Sequence, residues 1–186
     1  ISCLKENQIE IQNLDQNKKN TLKVKNIDYK KDALKILLIN ISTHFTKDRD
    51  TSEYDVLEPP LGLIALQSYL NREFEEKVKG KIIKTSVDFD NYEELEDIIN
   101  DFKPDLIGVS AMTFHKNFFH DAIKEIRNRG YEKMIVVGGP HPTTSYQEVL
   151  EDKNIDVCVI GEGEATLAEI VDRLIKNEKN CLTYDD

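Results

Sequence analysis

The stretch Ile135-Val136-Val137-Gly138-Gly139-Pro140-His141-Pro142-Thr143 decides the fold that this sequence predicts. Its apolar, β-branched run stops at a pair of glycines, and prolines then lead the chain toward a helix. The stretch Val157-Cys158-Val159-Ile160-Gly161-Glu162-Gly163-Glu164 has a similar form. Glycine at the end of a buried strand lets the backbone approach a bulky ligand closely, because no side chain stands between them. Both stretches therefore predict buried strands whose ends border a ligand.

From residue 34 onward, apolar runs alternate with amphipathic stretches. The predicted strands cover residues 34–41, 82–89, 106–110, 134–137 and 157–160. The predicted helices cover residues 60–72, 91–102, 116–129 and 144–150, and a fifth helix begins near residue 166. This alternation favours an α/β fold. We predict a doubly wound, flavodoxin- or Rossmann-like sheet of five parallel strands in the order 2-1-3-4-5, with helices on both faces and residues 82–89 at an edge.

Local signals predict where three of these helices begin or end. Asp90 with Glu93, and Thr166 with Glu169, have the spacing of a capping box at a helix start. Gly130 follows an amphipathic stretch and is predicted to end it in the left-handed conformation.

The chain divides into three parts by composition. Residues 1–33 are rich in Asn, Gln and Lys and predict a polar N-terminal arm or weak hairpin, to which we assign no function. Residues 34–176 form the predicted α/β domain. Residues 177–186 are a polar tail.

Composition limits the function classes. The 186 residues carry a formal net charge of −10, which argues against a nucleic-acid partner because phosphate neutralisation needs a surplus of Lys and Arg. No apolar run approaches the ~20 residues that span a bilayer, so we expect no membrane partner. Cys3, Cys158 and Cys181 are too far apart for a CxxC metal site or a disulfide framework, which favours a cytoplasmic location.

Ligands of doubly wound sheets bind outside the carboxyl ends of the strands, which we call the carboxyl rim. The predicted rim is small and mostly uncharged. It contains Asn40, Ser42, His44, Ser110, Ala111, Met112, Thr113, Gly138, Gly139, Pro140, His141, Gly161, Glu162, Gly163 and Glu164. This set suits a large, neutral-edged cofactor that is held by backbone and hydroxyl groups.

Several common occupants of this fold do not fit the rim. A phosphorelay receiver needs acidic residues after the first strand, an Asp after the third and a Lys after the fifth. At these positions the chain has Asn40, Ser110 and Gly161. No GxxxxGK[ST] or GxSxG motif is present, which argues against a P-loop and a serine hydrolase. Residues 161–166 resemble GxGxxG, but Thr166 replaces the third glycine and the neighbouring acids would repel a pyrophosphate.

Four motifs in order resemble the cobalamin-binding domain found at the N-terminus of one large class of radical S-adenosylmethionine enzymes. They are Pro59-Pro60-Leu61-Gly62-Leu63, Asp105-Leu106-Ile107-Gly108-Val109-Ser110, Val137-Gly138-Gly139-Pro140-His141-Pro142-Thr143 and Gly161-Glu162-Gly163-Glu164-Ala165-Thr166. The resemblance covers about residues 34–176. It implies a Rossmann-like domain that holds cobalamin across the strand ends.

The resemblance also implies roles for the rim residues. Residues 110–112 would lie beside the nucleotide tail or corrin edge of cobalamin. Gly138 and Gly139 would let that tail insert between helix and sheet, and residues 161–163 would border the same groove. Thr113, Pro140 and His141 complete the expected cofactor-binding set. Members of the class include methyltransferases and ring-forming enzymes related to anaerobic porphyrin cyclases.

Two departures from related patterns qualify the resemblance. The CxxxCxxC motif of the catalytic half is absent, so we expect the four-iron four-sulfur cluster and S-adenosylmethionine only in a missing downstream radical S-adenosylmethionine domain, unless the chain is a stand-alone cobalamin carrier. We expect no radical catalysis from this chain alone. The DxHxxG motif of other cobalamin domains is also absent, because Ser42-Thr43-His44-Phe45-Thr46-Lys47 lacks both Asp and Gly.

Some assignments stay open from sequence. His44 is the one candidate for a cobalt ligand, and a solvent-facing loop histidine is its alternative. His141 either contacts the corrin side chains or the missing catalytic domain, or its ring packs locally in its turn. For the whole chain, the alternatives are a non-catalytic flavodoxin-like binding module for another cofactor or a partner protein, and a free-standing enzyme of the same fold.

Overall fold

The structure is a computed structural model that describes residues 29–42, 44–46 and 58–176. The predicted arm lies almost wholly outside the described residues, as does the predicted tail over residues 177–186.

The described residues alternate strands and helices, as the sequence predicts. The strands are β1 Leu34–Ile41, β2 Val78–Lys84, β3 Leu106–Ala111, β4 Met134–Gly138 and β5 Val157–Cys158. The helices are α1 Leu61–Phe74, α2 Tyr92–Phe102, α3 Lys116–Asn128, α4 Pro140–Thr144, α5 Tyr146–Leu150 and α6 Glu164–Ile175. The helix predicted over residues 144–150 corresponds to α5, and a further short helix that was not predicted, α4, precedes it, with Ser145 between the two.

The strands form a parallel sheet in the order β2-β1-β3-β4-β5, which confirms the predicted topology. The second strand is at the edge, as predicted, but it begins four residues earlier than predicted and ends at Lys84. Its pairing with β1 runs from Val78 opposite Leu34 to Lys84 opposite Asn40. The chain then leaves the sheet in a turn in which Ser86 has a φ of 61°.

The described residues form two hydrophobic cores, one on each face of the sheet. On the first face, Leu37 and Ile39 of β1 pack with buried residues of α2 and α3, such as Phe119. On the second face, the alternate β1 residues Ile36 and Leu38 pack with residues of α1 and α6. We call these the α2/α3 face and the α1/α6 face. Because both faces of β1 are covered, its apolar run is continuous rather than alternating.

Two of the predicted helix starts differ from those in the structure. The N-cap of α2 is Asn91, not Asp90: its side chain accepts a hydrogen bond from Glu94 N–H at 2.8 Å. The Asp90 carboxylate instead accepts from Thr46 N–H at 2.7 Å. Thr166 lies inside α6, which begins at Glu164 with no side-chain cap, so the second predicted capping box is wrong. At the end of α3, Gly130 has a φ of 92°, which confirms the predicted left-handed residue.

The capping role of Asn91 can be tested by substitution, with Thr166 as the matched control. Asn91→Ala removes the hydrogen bond to Glu94 N–H and should lower the free energy of unfolding by about 1 kcal/mol. Thr166→Ala makes the same kind of change inside a helix, where alanine is the better helix former, and should leave the stability unchanged or slightly higher. Urea denaturation of both variants measures the difference. Equal losses would contradict the capping role of Asn91.

Candidate functional site

A groove opens at the carboxyl rim on the α1/α6 face. Its volume is about 390 Å³, and we call it the strand-end groove. Two rows of paired residues cross the sheet beneath it: Leu38, Gly108 and Val136 lie deeper, and Ser110 and Gly138 lie nearer the rim. Leu63 and Leu66 of α1, and Leu167 of α6, complete its walls.

Glycine keeps this groove open at two positions where a side chain would collide with its neighbours. A Cβ atom at Gly108, in the middle of β3, would lie 2.7 Å from Leu38 Cδ2. A Cβ atom at Gly139 would lie 2.5 Å from Ser110 Oγ. Gly139 also has a φ of 95°, which residues with a side chain rarely adopt. The backbone at both positions therefore lines the groove directly.

The short helix α4 joins the two glycine turns of the rim. Gly139 precedes its first residue, Pro140, and the Gly139 carbonyl accepts from Thr143 N–H at 3.0 Å. Thr143 Oγ1 in turn accepts from Gly161 N–H at 3.1 Å. Gly161 has a φ of 75°. One threonine thus fixes the turn after β4 relative to the turn after β5.

The structure brings together most of the predicted cofactor-binding residues, but not all. Seven of them line the strand-end groove: Ser110, Gly138, Gly139, Pro140, Gly161, Glu162 and Gly163. Ala111 is on the opposite face of β3 and is buried in the α2/α3 core. Met112 and Thr113 follow β3 as exposed residues outside the groove lining. Successive strand residues point to opposite faces, so a run such as 110–111 cannot line one groove with all its side chains.

His141 lies beside the groove but faces away from it. Its side chain is 0% exposed, and its ring packs edge-on against Phe119 and His120, with centroids 5.5 and 6.0 Å away. Neither ring nitrogen has a hydrogen-bond partner among the described residues. Burial lowers the pKa of His141, and the proximity of His120 lowers it further. The imidazole is therefore held in its neutral form.

A second pair of histidines lies near the carboxyl rim at the α2/α3 side. The His44 ring centroid is 5.4 Å from that of His115 and 5.0 Å from that of Phe118. His44 is exposed, whereas His115 is buried. Burial lowers the pKa of His115, His44 lowers it further, and a hydrogen bond to the Ser42 backbone opposes both effects. These contacts do not bear on cobalt ligation by His44, which stays a prediction.

The strand-end groove carries no positive charge. Its lining among the described residues includes no Lys, Arg or His, and its charged members are Glu162 and Glu164 at the start of α6. Such a surface does not suit a polyphosphate, and it suits a flat, largely neutral group.

No cluster of three or more His, Cys, Asp or Glu in the described part of the chain could hold a metal ion. No helix there is both long and apolar enough to cross a membrane.

Sequence reasoning missed the residues that α1 contributes to the groove. Gly62, Leu63 and Leu66 lie about 50 residues before Ser110 in the chain, and only the tertiary fold brings them together. Gly108 was also missed as a lining residue. Its position inside an apolar strand was the available signal, because a glycine there often marks a close approach to a ligand or another chain segment.

This sheet, with a groove that carries no positive charge and is bordered by glycine at its carboxyl rim, defines a Rossmann-like cofactor-binding domain. The sequence profile of the B12 binding domain matches residues 49–171, about two thirds of the chain. The chain belongs to the B12-binding domain family.

Longer proteins share this domain. The chain is 34% identical over 122 residues to an uncharacterized methyltransferase of Pyrococcus horikoshii, a match that covers 65% of this chain and 26% of that protein. It is 30% identical over 90 residues to the anaerobic magnesium-protoporphyrin IX monomethyl ester cyclase of Cereibacter sphaeroides, which covers 48% of this chain and 15% of the cyclase. The chain thus spans about a quarter or less of these relatives.

A solved structure has the same fold. The cobalamin-dependent S-adenosylmethionine radical enzyme OxsB, with aqua-cobalamin and S-adenosylmethionine bound, superposes with a TM-score of 0.62 at 21% sequence identity. The match covers 80% of this chain and 20% of the OxsB chain.

The buried His141 gives a prediction about pH. Since its pKa is lowered in the folded state, the unfolded chain takes up a proton that the folded chain does not as the pH falls below about 6.5. The wild type should therefore lose stability over that range. His141→Leu, of similar volume, removes the proton uptake and two unpaired buried nitrogens, so it should be more stable by roughly 1–3 kcal/mol, with the larger gain at pH 5.5 than at pH 8.

Urea denaturation at the two pH values measures this gain. Ile107→Val is the control, because it alters the packing of the same α2/α3 core near the start of β3 without removing a titrating group. Its effect should be the same at both pH values. A His141→Leu gain that is absent or independent of pH would contradict the account of His141 as a neutral, unpaired group.

Proposed function

We propose that this chain holds cobalamin at its carboxyl rim, with the nucleotide tail in the strand-end groove, as the cofactor-binding part of a cobalamin-dependent radical S-adenosylmethionine enzyme of the methyltransferase or cyclase type. The observation that carries the proposal is the groove itself. It carries no positive charge, its two carboxylates lie at its mouth, and it borders Gly108 and Gly139, where a Cβ atom would collide with Leu38 or Ser110. Its volume of about 390 Å³ is in the range of small-molecule sites.

The residues of the groove fit the chemistry of the tail. The base at the end of the tail is flat and aromatic, and the leucines and valines of the deep part can cover both of its faces. The Ser110 hydroxyl near the rim is available to a ring nitrogen of the base. The backbone at Gly138 and Gly139 leaves room for the sugar and phosphate of the tail to pass the rim.

When bound, cobalamin supplies a cobalt centre that carries a methyl group or an electron. This chain contributes the positioning of that cofactor. Thr143 fixes the two glycine turns relative to each other, and α1 and α6 clamp the tail from its two sides. His44 is still the one residue proposed as a cobalt ligand. Its contacts with His115 and Phe118 do not test this proposal.

The catalytic chemistry would belong to a downstream domain. Support comes from the small share of each relative that this chain spans, and from the names of those relatives as a methyltransferase, a cyclase and a radical S-adenosylmethionine enzyme. Met112 and Phe114, which follow β3 at the rim, are 44% and 73% exposed. Exposed apolar side chains at this place are suited to a cofactor face or a second domain. We expect a CxxxCxxC motif after residue 186 in the full gene, and its absence would contradict this part of the proposal.

The groove assignment is tested by filling the groove with a side chain. Gly62 lies in the first turn of α1, lines the groove, and has open space around the position of its missing Cβ. Gly62→Phe should therefore fold normally and lose cobalamin affinity by about tenfold or more, since overpacking costs ~1–3 kcal/mol. Ile64→Phe is the matched control, because it places the same ring on an exposed part of the same helix outside the groove lining.

The measurement is the visible spectrum of the chain after incubation with hydroxocobalamin and desalting. We expect stoichiometric corrinoid in the wild type and in Ile64→Phe, and little in Gly62→Phe. Equal retention by all three proteins would show that the tail does not occupy this groove. Retention by none of them would contradict cobalamin binding and favour a non-catalytic binding module for another ligand.

A further inference from the structure

The deep part of the strand-end groove offers no polar side chain. Leu38, Val136, Leu63 and Leu167 line it, and each is at most 5% exposed. The strand backbone beneath Leu38, Gly108 and Val136 is paired within the parallel sheet. A polar atom of a ligand that reaches this depth would therefore find no hydrogen-bond partner among the described residues.

Polar groups of the groove are confined to its mouth, and most are already engaged. Thr143 Oγ1 accepts from Gly161 N–H, and Thr144 Oγ1 donates to the Pro140 carbonyl at 3.0 Å. The hydroxyl of Ser110 has no hydrogen-bond partner among the described residues, and it lies against the bare backbone of Gly139. Among the described residues, the mouth thus presents the hydroxyl of Ser110, the O–H of Thr143, whose oxygen alone is engaged, and the carboxylates at the start of α6.

We infer that the groove selects among cobamides by their lower base, and that it favours a benzimidazole over adenine. This inference rests on the proposed function. A benzimidazole has one free ring nitrogen, which a single hydroxyl can serve, and its six-membered ring is wholly carbon. Adenine places two nitrogens and an amino group on that ring. Burying them among leucine and valine removes their hydrogen bonds to water without replacement.

The test is a comparison of four corrinoids with the full chain. Cobalamin, benzimidazolylcobamide, adeninylcobamide and cobinamide, which lacks the nucleotide tail, are each titrated in equilibrium dialysis and followed by visible absorbance. We expect the two benzimidazole forms to bind at least tenfold more tightly than adeninylcobamide. Cobinamide should bind more weakly than cobalamin, because the groove then stays empty.

The outcomes separate this inference from the proposed function. If cobalamin and adeninylcobamide bind equally and both exceed cobinamide, the tail occupies the groove and base selection is wrong. If cobinamide binds as well as cobalamin, the tail does not use the groove, and the inference is wrong as well. If no corrinoid binds, the proposed function fails, and the inference fails with it.

A pair of variants tests whether the apolar wall causes the selection. Leu66 lines the groove one turn further along α1 than Gly62 and is partly exposed, so a polar residue there should be tolerated. Leu66→Gln offers an amide to the adenine ring and should reduce the preference for cobalamin several-fold. Leu66→Met keeps the wall apolar and should preserve it. A preference that is identical in both variants would overturn the role of the wall.

Discussion

A side chain at position 139 would place its Cβ 2.5 Å from the Ser110 hydroxyl, and the backbone there has a φ of 95°. Glycine is therefore favoured at this turn by its conformation, and a Cβ atom there would also displace the Ser110 hydroxyl. Because the turn carries no side chain, β4 passes directly into α4 and exposes its backbone to the groove. Thr143 of α4 then holds the Gly161 turn after β5. The shape of the carboxyl rim, and with it the access to the groove, depends on this contact.

Much of the fold could be predicted because the inner strands are covered on both faces. The centre of β1, residues 36–39, is a continuous apolar run, and the strand pairs on both sides within the sheet. The edge strand β2 was harder to place, since Lys79, Lys81 and Lys84 make its sequence resemble a polar loop. Adjacent capping residues posed a similar problem at α2: Asp90 and Asn91 are both good N-caps, and only the tertiary contact from Thr46 to Asp90 decides between them.

The sequence predicts where along the strands the candidate site lies, but not on which face of the sheet it lies. The groove lies at the carboxyl edge of the sheet, where the sequence places the candidate site, yet Ser110 faces the groove while Ala111 is buried on the other side. His141 follows a glycine turn that lines the groove, and the short helix α4 nonetheless directs its ring into the α2/α3 core. The wall from α1 could not be inferred, because helix packing across the sheet sets which of its residues meet the groove.

The two faces of the sheet differ in the kind of side chain that they bury, and this difference bears on stability and binding. The aromatic residues that are buried in the described part of the chain, such as Phe45, Phe89 and Phe119, belong to the α2/α3 core. The buried members of the α1/α6 core are leucine, isoleucine and valine. Large rings fill space and bury the most apolar area per residue, so the first face contributes strongly to the stability of the domain. The second face, built from smaller side chains and glycine, can then keep a volume open for a ligand without loss of the fold.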